Sequence, residues 1–91
     1  MQTNFLLGTL KMSHRARKAL RREPYDLIAR HAINEHGLIS EREQKQNELS
    51  MKNLGELVSR YRVDPTDPKK GTVIVKTSVS WRETTVCLET A

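Results

Sequence analysis

Cysteine is nearly absent from this sequence, with Cys87 as its single example among 91 residues. An intramolecular disulfide is therefore excluded, and we expect the protein to work in a reducing compartment, the cytoplasm. Cys87 lies in a short stretch where apolar and polar residues alternate. Its side chain is therefore predicted to be buried as a small hydrophobic group.

Aromatic residues and long apolar runs are also scarce. The chain has four aromatic residues and 36% hydrophobic residues in total. Its apolar run at 5–10 is too short to cross a membrane, and no basic segment precedes it as one does in a secretory signal. We therefore expect one small domain with a lean core and no membrane segment. Because such a core leaves little surplus stability, a homodimer is predicted.

Recognisable catalytic and metal-binding motifs are missing as well. His31 and His36 are five positions apart, which does not place two ligands on one face of a helix. His31 is instead expected to form an ordinary helical pair with Glu35. There is no glycine-rich phosphate loop, no Ser/His/Asp pattern and no catalytic pair of carboxylates. The sequence predicts no catalytic residue, no metal and no cofactor.

One enzymatic alternative rests on analogy. Small basic proteins that combine helices with a terminal sheet include the messenger-cleaving toxins of bacteria, in which Arg, Lys and Tyr side chains act. Residues 13–63 of this chain look almost continuously helical, which is more helix than that fold contains. We therefore predict that the protein is not an enzyme.

The distribution of charge is the feature that suggests a partner. The first 22 residues contain six Lys and Arg and no acid, whereas the other 69 contain ten Lys and Arg against eleven Asp and Glu. A block of one sign attracts a partner of the opposite sign. The net charge of +5 therefore originates at the N-terminal end.

The basic stretch 13–22 is predicted to be helical. Ser13 is suited to cap a helix over about 14–22, and the Ala, Leu, Lys and Arg residues that follow are strong helix formers. The stretch resembles in type the arginine-rich helices with which antitermination proteins of lambdoid phages hold RNA hairpins. The resemblance does not extend residue by residue. The charge asymmetry itself predicts phosphate contacts from five residues: Arg15, Arg17, Lys18, Arg21 and Arg22. The alternative is a solvated surface helix without a ligand.

Patterning divides the rest of the chain into two more helices and a hairpin. An amphipathic helix is predicted over 24–36, with Gly37 just after its end. A capping box at Ser40 begins a third helix, whose apolar periodicity runs to Tyr61 either without interruption or after a break near 47–50. Turn residues at 64–71 precede two strands, predicted over 72–81 and 84–89.

These elements predict an α+β fold, with two or three helices followed by a C-terminal β-hairpin. Residues 1–11 are expected to be a flexible arm or a short strand, and 12–91 a single domain. Because Met12 and Ser13 would also make a translation start, 1–11 is alternatively an extension that adds little. The core is predicted to consist of the periodic apolar positions Ile28, Ala32, Ile33, Leu54, Leu57, Val58, Val73, Val75 and Val86.

A second, looser set of cations follows the predicted third helix. If that helix ended in a groove, the hairpin would touch phosphates as the wing of a winged helix-turn-helix protein does. The alternative is that these cations favour a helix C-terminus and otherwise face solvent. The candidates for nucleic-acid contact in this set are Arg60, Arg62, Lys69 and Lys70.

We therefore predict a small, non-catalytic regulatory protein that binds DNA or RNA through its N-terminal helix. The alternative is a protein-binding inhibitor or adaptor of the kind that phages and plasmids encode. In that case the basic helix would grip an acidic protein surface.

Overall fold

The computed structural model describes residues 4–89 and has the predicted α+β fold. Its elements are β1 (Thr9–Met12), α1 (His14–Leu20), α2 (Tyr25–Ala32), α3 (Glu41–Asn53), β2 (Leu57–Arg62), β3 (Thr72–Thr77) and β4 (Glu83–Glu89). Within these residues the strands form one four-stranded sheet, in the order β1-β4-β3-β2, rather than a hairpin alone. β2, β3 and β4 are antiparallel neighbours, and β1 is parallel to β4. Residues 1–3 of the predicted arm lie outside the described part.

The two predicted helix caps are confirmed. The Ser13 hydroxyl accepts a hydrogen bond from the Ala16 N–H at 3.1 Å and begins α1. Ser40 and Glu43 form the reciprocal capping box that begins α3. The first helix ends at Leu20, earlier than the prediction of about 14–22, because Arg21 adopts the left-handed conformation at φ 56°.

The second helix is confirmed, but it ends at Ala32 instead of His36. Asn34 has a positive φ of 63°, and the chain then turns so that His36 is buried. Gly37 does not follow the helix directly but lies beside β2, where an added Cβ would stand 2.1 Å from the Arg60 carbonyl oxygen. The absence of a side chain at Gly37 therefore allows this segment to contact the sheet closely.

The prediction that the third helix continues to Tyr61 is wrong. α3 ends at Asn53, and Leu54 takes the left-handed conformation at φ 56°. The apolar residues that follow belong to β2, in which Leu57, Ser59 and Tyr61 are buried on one face. Apolar residues at 54, 57, 58 and 61 fit a helical period. Because alternate residues of a strand face the core, a strand over 57–61 also buries Leu57 and Tyr61.

The predicted strand 72–81 is also too long. β3 ends at Thr77, and the chain reverses through a short 3-10 turn, Val79–Trp81, before β4 begins. Trp81 has a positive φ of 52°, and its indole N–H donates to the Gly55 carbonyl oxygen at 3.0 Å. The reversal therefore depends on left-handed residues and on a tertiary hydrogen bond. Neither is predicted by the sequence of Trp81–Thr84, which contains no Gly, Asn or Pro.

The core lies between one face of the sheet and helices α1 and α2. Its central cluster contains Ala16, Leu20, Leu27, Ile28, Tyr61, Val73, Val75 and Val86. Burial is confirmed for Ile28, Ala32, Leu57, Val73, Val75 and Val86. The prediction is wrong for Ile33 and Leu54, which are 42% and 50% exposed, and Val58 is half-buried. Cys87 is exposed rather than buried, because it lies on the opposite face of β4 from Val86.

The outer edge of β2 is covered by two segments. The Asn47 side chain of α3 donates to the Val58 carbonyl oxygen at 2.8 Å and accepts from the Val58 N–H at 3.0 Å. Beside it, the Arg60 N–H donates to the His36 carbonyl oxygen, and the Arg60 carbonyl oxygen accepts from the Leu38 N–H. These contacts satisfy main-chain groups that an edge strand otherwise leaves open to pairing with another chain.

Segment 4–12 lies against the same sheet. Phe5 is buried, and its ring meets that of His31 edge-on with the ring centroids 5.2 Å apart. Gly8 follows with a φ of 67°, where an added Cβ would stand 2.2 Å from the Arg82 carbonyl oxygen. The segment then enters the sheet as β1.

Candidate nucleic-acid interface

The basic stretch lies on the surface because α1 buries only two of its side chains. Ala16 and Leu20, four residues apart, are buried in the core. The five predicted phosphate ligands of this stretch are all exposed: Arg15, Arg17, Lys18, Arg21 and Arg22. The helix α1 thus packs on the core through its narrow apolar face, and its cations are exposed to solvent.

A depression of about 600 Å³ joins this stretch to a distant loop, and we call it the basic cleft. Its lining includes Lys18, Arg21 and Arg22 from the N-terminal stretch, together with Asp64 and Lys70 from the β2–β3 loop. The fold therefore brings members of both predicted cation sets to one concave surface.

A neighbouring depression of about 300 Å³ has a different lining, and we call it the Tyr61 cleft. Four arginines line it: Arg22, Arg30, Arg60 and Arg62. The Asp26 carboxylate, which pairs with Arg22, also lines it. Its apolar lining comes from four other side chains: Leu27, Leu38, Tyr61 and Pro65. Arg22 and Pro65 line both clefts, so the two depressions form one continuous surface.

Several cations of this surface hold carboxylates, but the pairs are exposed. Lys70 in the basic cleft lies 3.6 Å from Asp64, and Arg17, which lines neither cleft, contacts Glu23 at 2.6 Å. Arg22 contacts Asp26, whose pKa is lowered overall. Partial burial raises it, but the hydrogen bond and charge of Arg22, together with backbone hydrogen bonds, lower it by more. Because exposed pairs contribute about 0–1 kcal/mol, a phosphate can replace the carboxylate at little cost.

Other predicted cations have no such partner. Within residues 4–89, the side chains of Arg15, Lys18, Arg21, Arg62 and Lys69 form neither an ion pair nor a hydrogen bond. Arg62 reaches the Tyr61 cleft, whereas Arg15 and Lys69 lie on exposed surface outside both clefts. Unpaired cations are the charges most available to an anionic partner.

Arg60 differs from the other predicted ligands because it is held by two carboxylates. It lies in β2 rather than near the end of a helix, and its side chain is only 24% exposed. The guanidinium contacts Glu43 of α3 and donates to Glu89 of β4 at 2.9 Å. Its hydrogen bonds lower the pKa of both carboxyls, and the same bonds raise the pKa of Arg60. Arg60 therefore joins α3 to the sheet.

A buried chain of polar side chains crosses the core, and sequence reasoning missed it. Ser59 lies 2.5 Å from His31 Nδ1 and 2.7 Å from His36 Nδ1. On the other side, His31 Nε2 lies 2.9 Å from the Thr77 hydroxyl, which lies 2.7 Å from the Thr84 hydroxyl. The prediction that His31 forms an ordinary helical pair with Glu35 is wrong, because His31 is fully buried.

One order of donors satisfies every atom of this chain. The Thr84 hydroxyl donates to the Leu7 carbonyl oxygen, so it must accept from Thr77. Thr77 then accepts from His31 Nε2–H, which leaves Nδ1 of a neutral His31 to accept from Ser59. Ser59 in turn accepts from His36 Nδ1–H. The Asn34 side-chain N–H donates to His36 Nε2 at 3.3 Å, so each histidine in this order carries a single ring proton and is neutral.

The environment of the chain favours these neutral forms and buries its hydroxyls. Burial, with a smaller contribution from His36, lowers the pKa of His31 to about 3. Burial also lowers the pKa of His36. The Ser59, Thr77 and Thr84 side chains are fully buried, so their hydroxyls are beyond the reach of a substrate in this structure. The chain holds the N-terminal segment, α2 and three strands together.

No family model, curated protein or solved structure matches this chain. In the part described, 4–89, no three His, Cys, Asp or Glu residues are grouped in a way that would hold a metal ion. None of the described helices has both the length and the apolar character needed to cross a membrane.

Proposed function

We propose that this protein is a small, non-catalytic regulatory protein that binds DNA or RNA in the cytoplasm. The observation that carries the proposal is the convergence of the basic stretch and the β2–β3 loop on the basic cleft. Phosphates would contact cations of both segments: Arg15, Arg17, Lys18, Arg21, Arg22, Arg62, Lys69 and Lys70. Arg60 is left out because Glu43 and Glu89 occupy its guanidinium.

The chemistry of the surface supports a polyanion over a single anion. Its cations extend along α1 and across the loop, as the regularly spaced charges of a phosphate backbone require. Like charges crowded on one short helix repel one another, and a polyanion would relieve that repulsion. Arginine predominates in the stretch, and its planar group binds phosphate with two parallel hydrogen bonds.

The test is binding to random-sequence DNA and RNA across a salt series. The experimental variant is the triple Lys18→Ala, Arg21→Ala and Lys70→Ala, which empties the basic cleft of three cations. We expect weaker binding, and a flatter plot of log affinity against log salt, by about two to three units of slope. The fold should persist because all three side chains are exposed.

A matched control removes the same charge from α3. Arg42, Lys45 and Lys52 are exposed and lie outside both clefts. Their replacement by Ala should leave most of the affinity and the slope of the parent protein. Equal weakening by the two triples would show that only net charge matters and would refute the site.

A protein partner with an acidic surface is the second candidate, favoured by the carboxylates that already occupy Arg17, Arg22 and Lys70. Failure of the parent protein to bind any nucleic acid at low salt would favour it.

A homodimer is also proposed, because the outer edge of β1 is unpaired in the described structure. Sedimentation equilibrium that returned the 10.5 kDa monomer at tens of micromolar would exclude that dimer.

A further inference from the structure

The Tyr61 cleft has features that phosphate binding alone does not require. Its apolar lining, Leu27, Leu38, Tyr61 and Pro65, gives nothing to an anion. Leu38 is 51% exposed even though it follows a segment that contacts the sheet closely. An apolar surface surrounded by arginines suits a ligand with a flat apolar body and charged neighbours.

Arg30 strengthens this reading through its position over an aromatic ring. Its guanidinium carbon lies 4.7 Å from the centre of the Tyr61 ring, while Glu35 lies 3.6 Å from its Nε. Tyr61 itself is fixed, because its hydroxyl donates to the Glu35 carbonyl oxygen at 2.5 Å and its ring is buried. A guanidinium supported on one side by an aromatic ring has its other face available for stacking.

We propose that the Tyr61 cleft receives one unstacked base of a single-stranded nucleic acid. The base stacks on Arg30 and contacts Leu38. The phosphates on either side of it meet Arg62 and Arg22, which exchanges its exposed pair with Asp26 for the phosphate. This inference rests on the proposed function, because the adjoining basic cleft carries the rest of the strand. The partner is a single strand or a loop, since a base inside a duplex has neither face free.

The shape and charge of the cleft agree with this ligand. Its volume of about 300 Å³ accommodates a single base and no helix of the partner. Arg22 lines both clefts, so a strand bound in the basic cleft lies next to the base site. Arg62 has no acidic partner among the described residues and is free to take the next phosphate.

The first experiment compares two single strands that differ only in their bases. One is an oligothymidylate of about twelve nucleotides, and the other is an abasic strand with the same number of phosphates. We expect the abasic strand to bind about fivefold more weakly or worse, with an unchanged salt slope. Equal affinity for the two strands would overturn the base site, although their salt-dependent binding would leave the proposed function standing.

The second experiment locates the base contact with two variants and two controls. Leu38→Ala and Arg30→Lys should weaken binding of the intact strand severalfold and leave binding of the abasic strand unchanged. Leu49→Ala and Arg42→Lys are the controls on α3. Leu49 is a matched control because it is 53% exposed and Leu38 is 51% exposed. An equal loss on both strands, or an equal loss from the controls, would overturn the assignment. Absence of binding by every protein would overturn the proposed function with it.

Discussion

The buried chain of His31, Ser59 and His36 makes a strong prediction about pH and stability. Protonation of His31 Nδ1 would turn it from an acceptor into a donor facing Ser59, which already accepts from His36. The Ser59 hydroxyl hydrogen would lose its acceptor, and a charge would be buried where, among residues 4–89, no carboxylate forms an ion pair with either ring. Mild acid should therefore destabilise the folded protein.

The size of the effect follows from the pKa difference between the two states. The pKa of His31 falls from an ordinary 6.5 to about 3 on folding, so the unfolded chain takes up the proton first. Stability from neutral His31 is complete above the unfolded pKa and is lost as the pH falls through 6.5 toward 3. Between about pH 7.5 and about pH 5.5, we expect a loss of roughly 1.4 kcal/mol. His36, whose pKa is also lowered, acts in the same direction.

Urea denaturation at a series of pH values measures this loss directly. The chosen window lies above the range in which the carboxyls with lowered pKa, Glu43 and Glu89 among them, take up protons. His31→Leu should lose about 1–3 kcal/mol at neutral pH and have a shallower pH dependence. His14→Ala is the control, since His14 is exposed. A stability that stays flat across the window in the parent protein would refute the buried neutral chain.

Three further predictions concern packing, the sheet edge and a helix cap. Leu57→Ala should lower the free energy of unfolding by about 2–5 kcal/mol, and exposed Ile33→Ala by much less; equal losses in urea titrations would contradict the core. Asn47→Ala should lose about 1–3 kcal/mol by freeing the main chain of Val58, and an unchanged urea midpoint would show that this edge is satisfied otherwise. Ser40→Ala should lower the thermal midpoint through a loss of about 1 kcal/mol, unlike Ser40→Gly, which should lose only a few tenths.

Local chemistry in the sequence was enough to predict the fold class and the starts of the helices. Ser13 and Ser40 act on neighbours three residues away, so their effect is visible without tertiary structure. The α3–β2 boundary was missed because residues 54–61 satisfy two periods at once. The sheet decides between them, since the inward side chains of β2 oppose those of β3, as Leu57 opposes Thr77.

The candidate site was predictable only in part. The basic stretch was identified from charge, but its approach to Lys70 and Arg62 depends on how α1 packs on the sheet that contains β2. The buried polar chain was missed because Ser59 was assigned to the third helix instead of to β2, and His31 was expected to pair with Glu35 on the helix surface. The sequence signal for it is that Ser59 lies in phase with the buried residues Leu57 and Tyr61 of β2, as Thr77 does with Val75 of β3.

Chemical-shift mapping tests most directly whether the two distant segments form one surface for nucleic acid. Amide chemical shifts of the isotope-labelled chain would be followed during titration with a single-stranded oligonucleotide. We expect shifts to change together in 13–22 and in 62–70, with smaller changes around Leu38. Changes confined to α3 (Glu41–Asn53) or to one of the two segments alone would contradict this expectation.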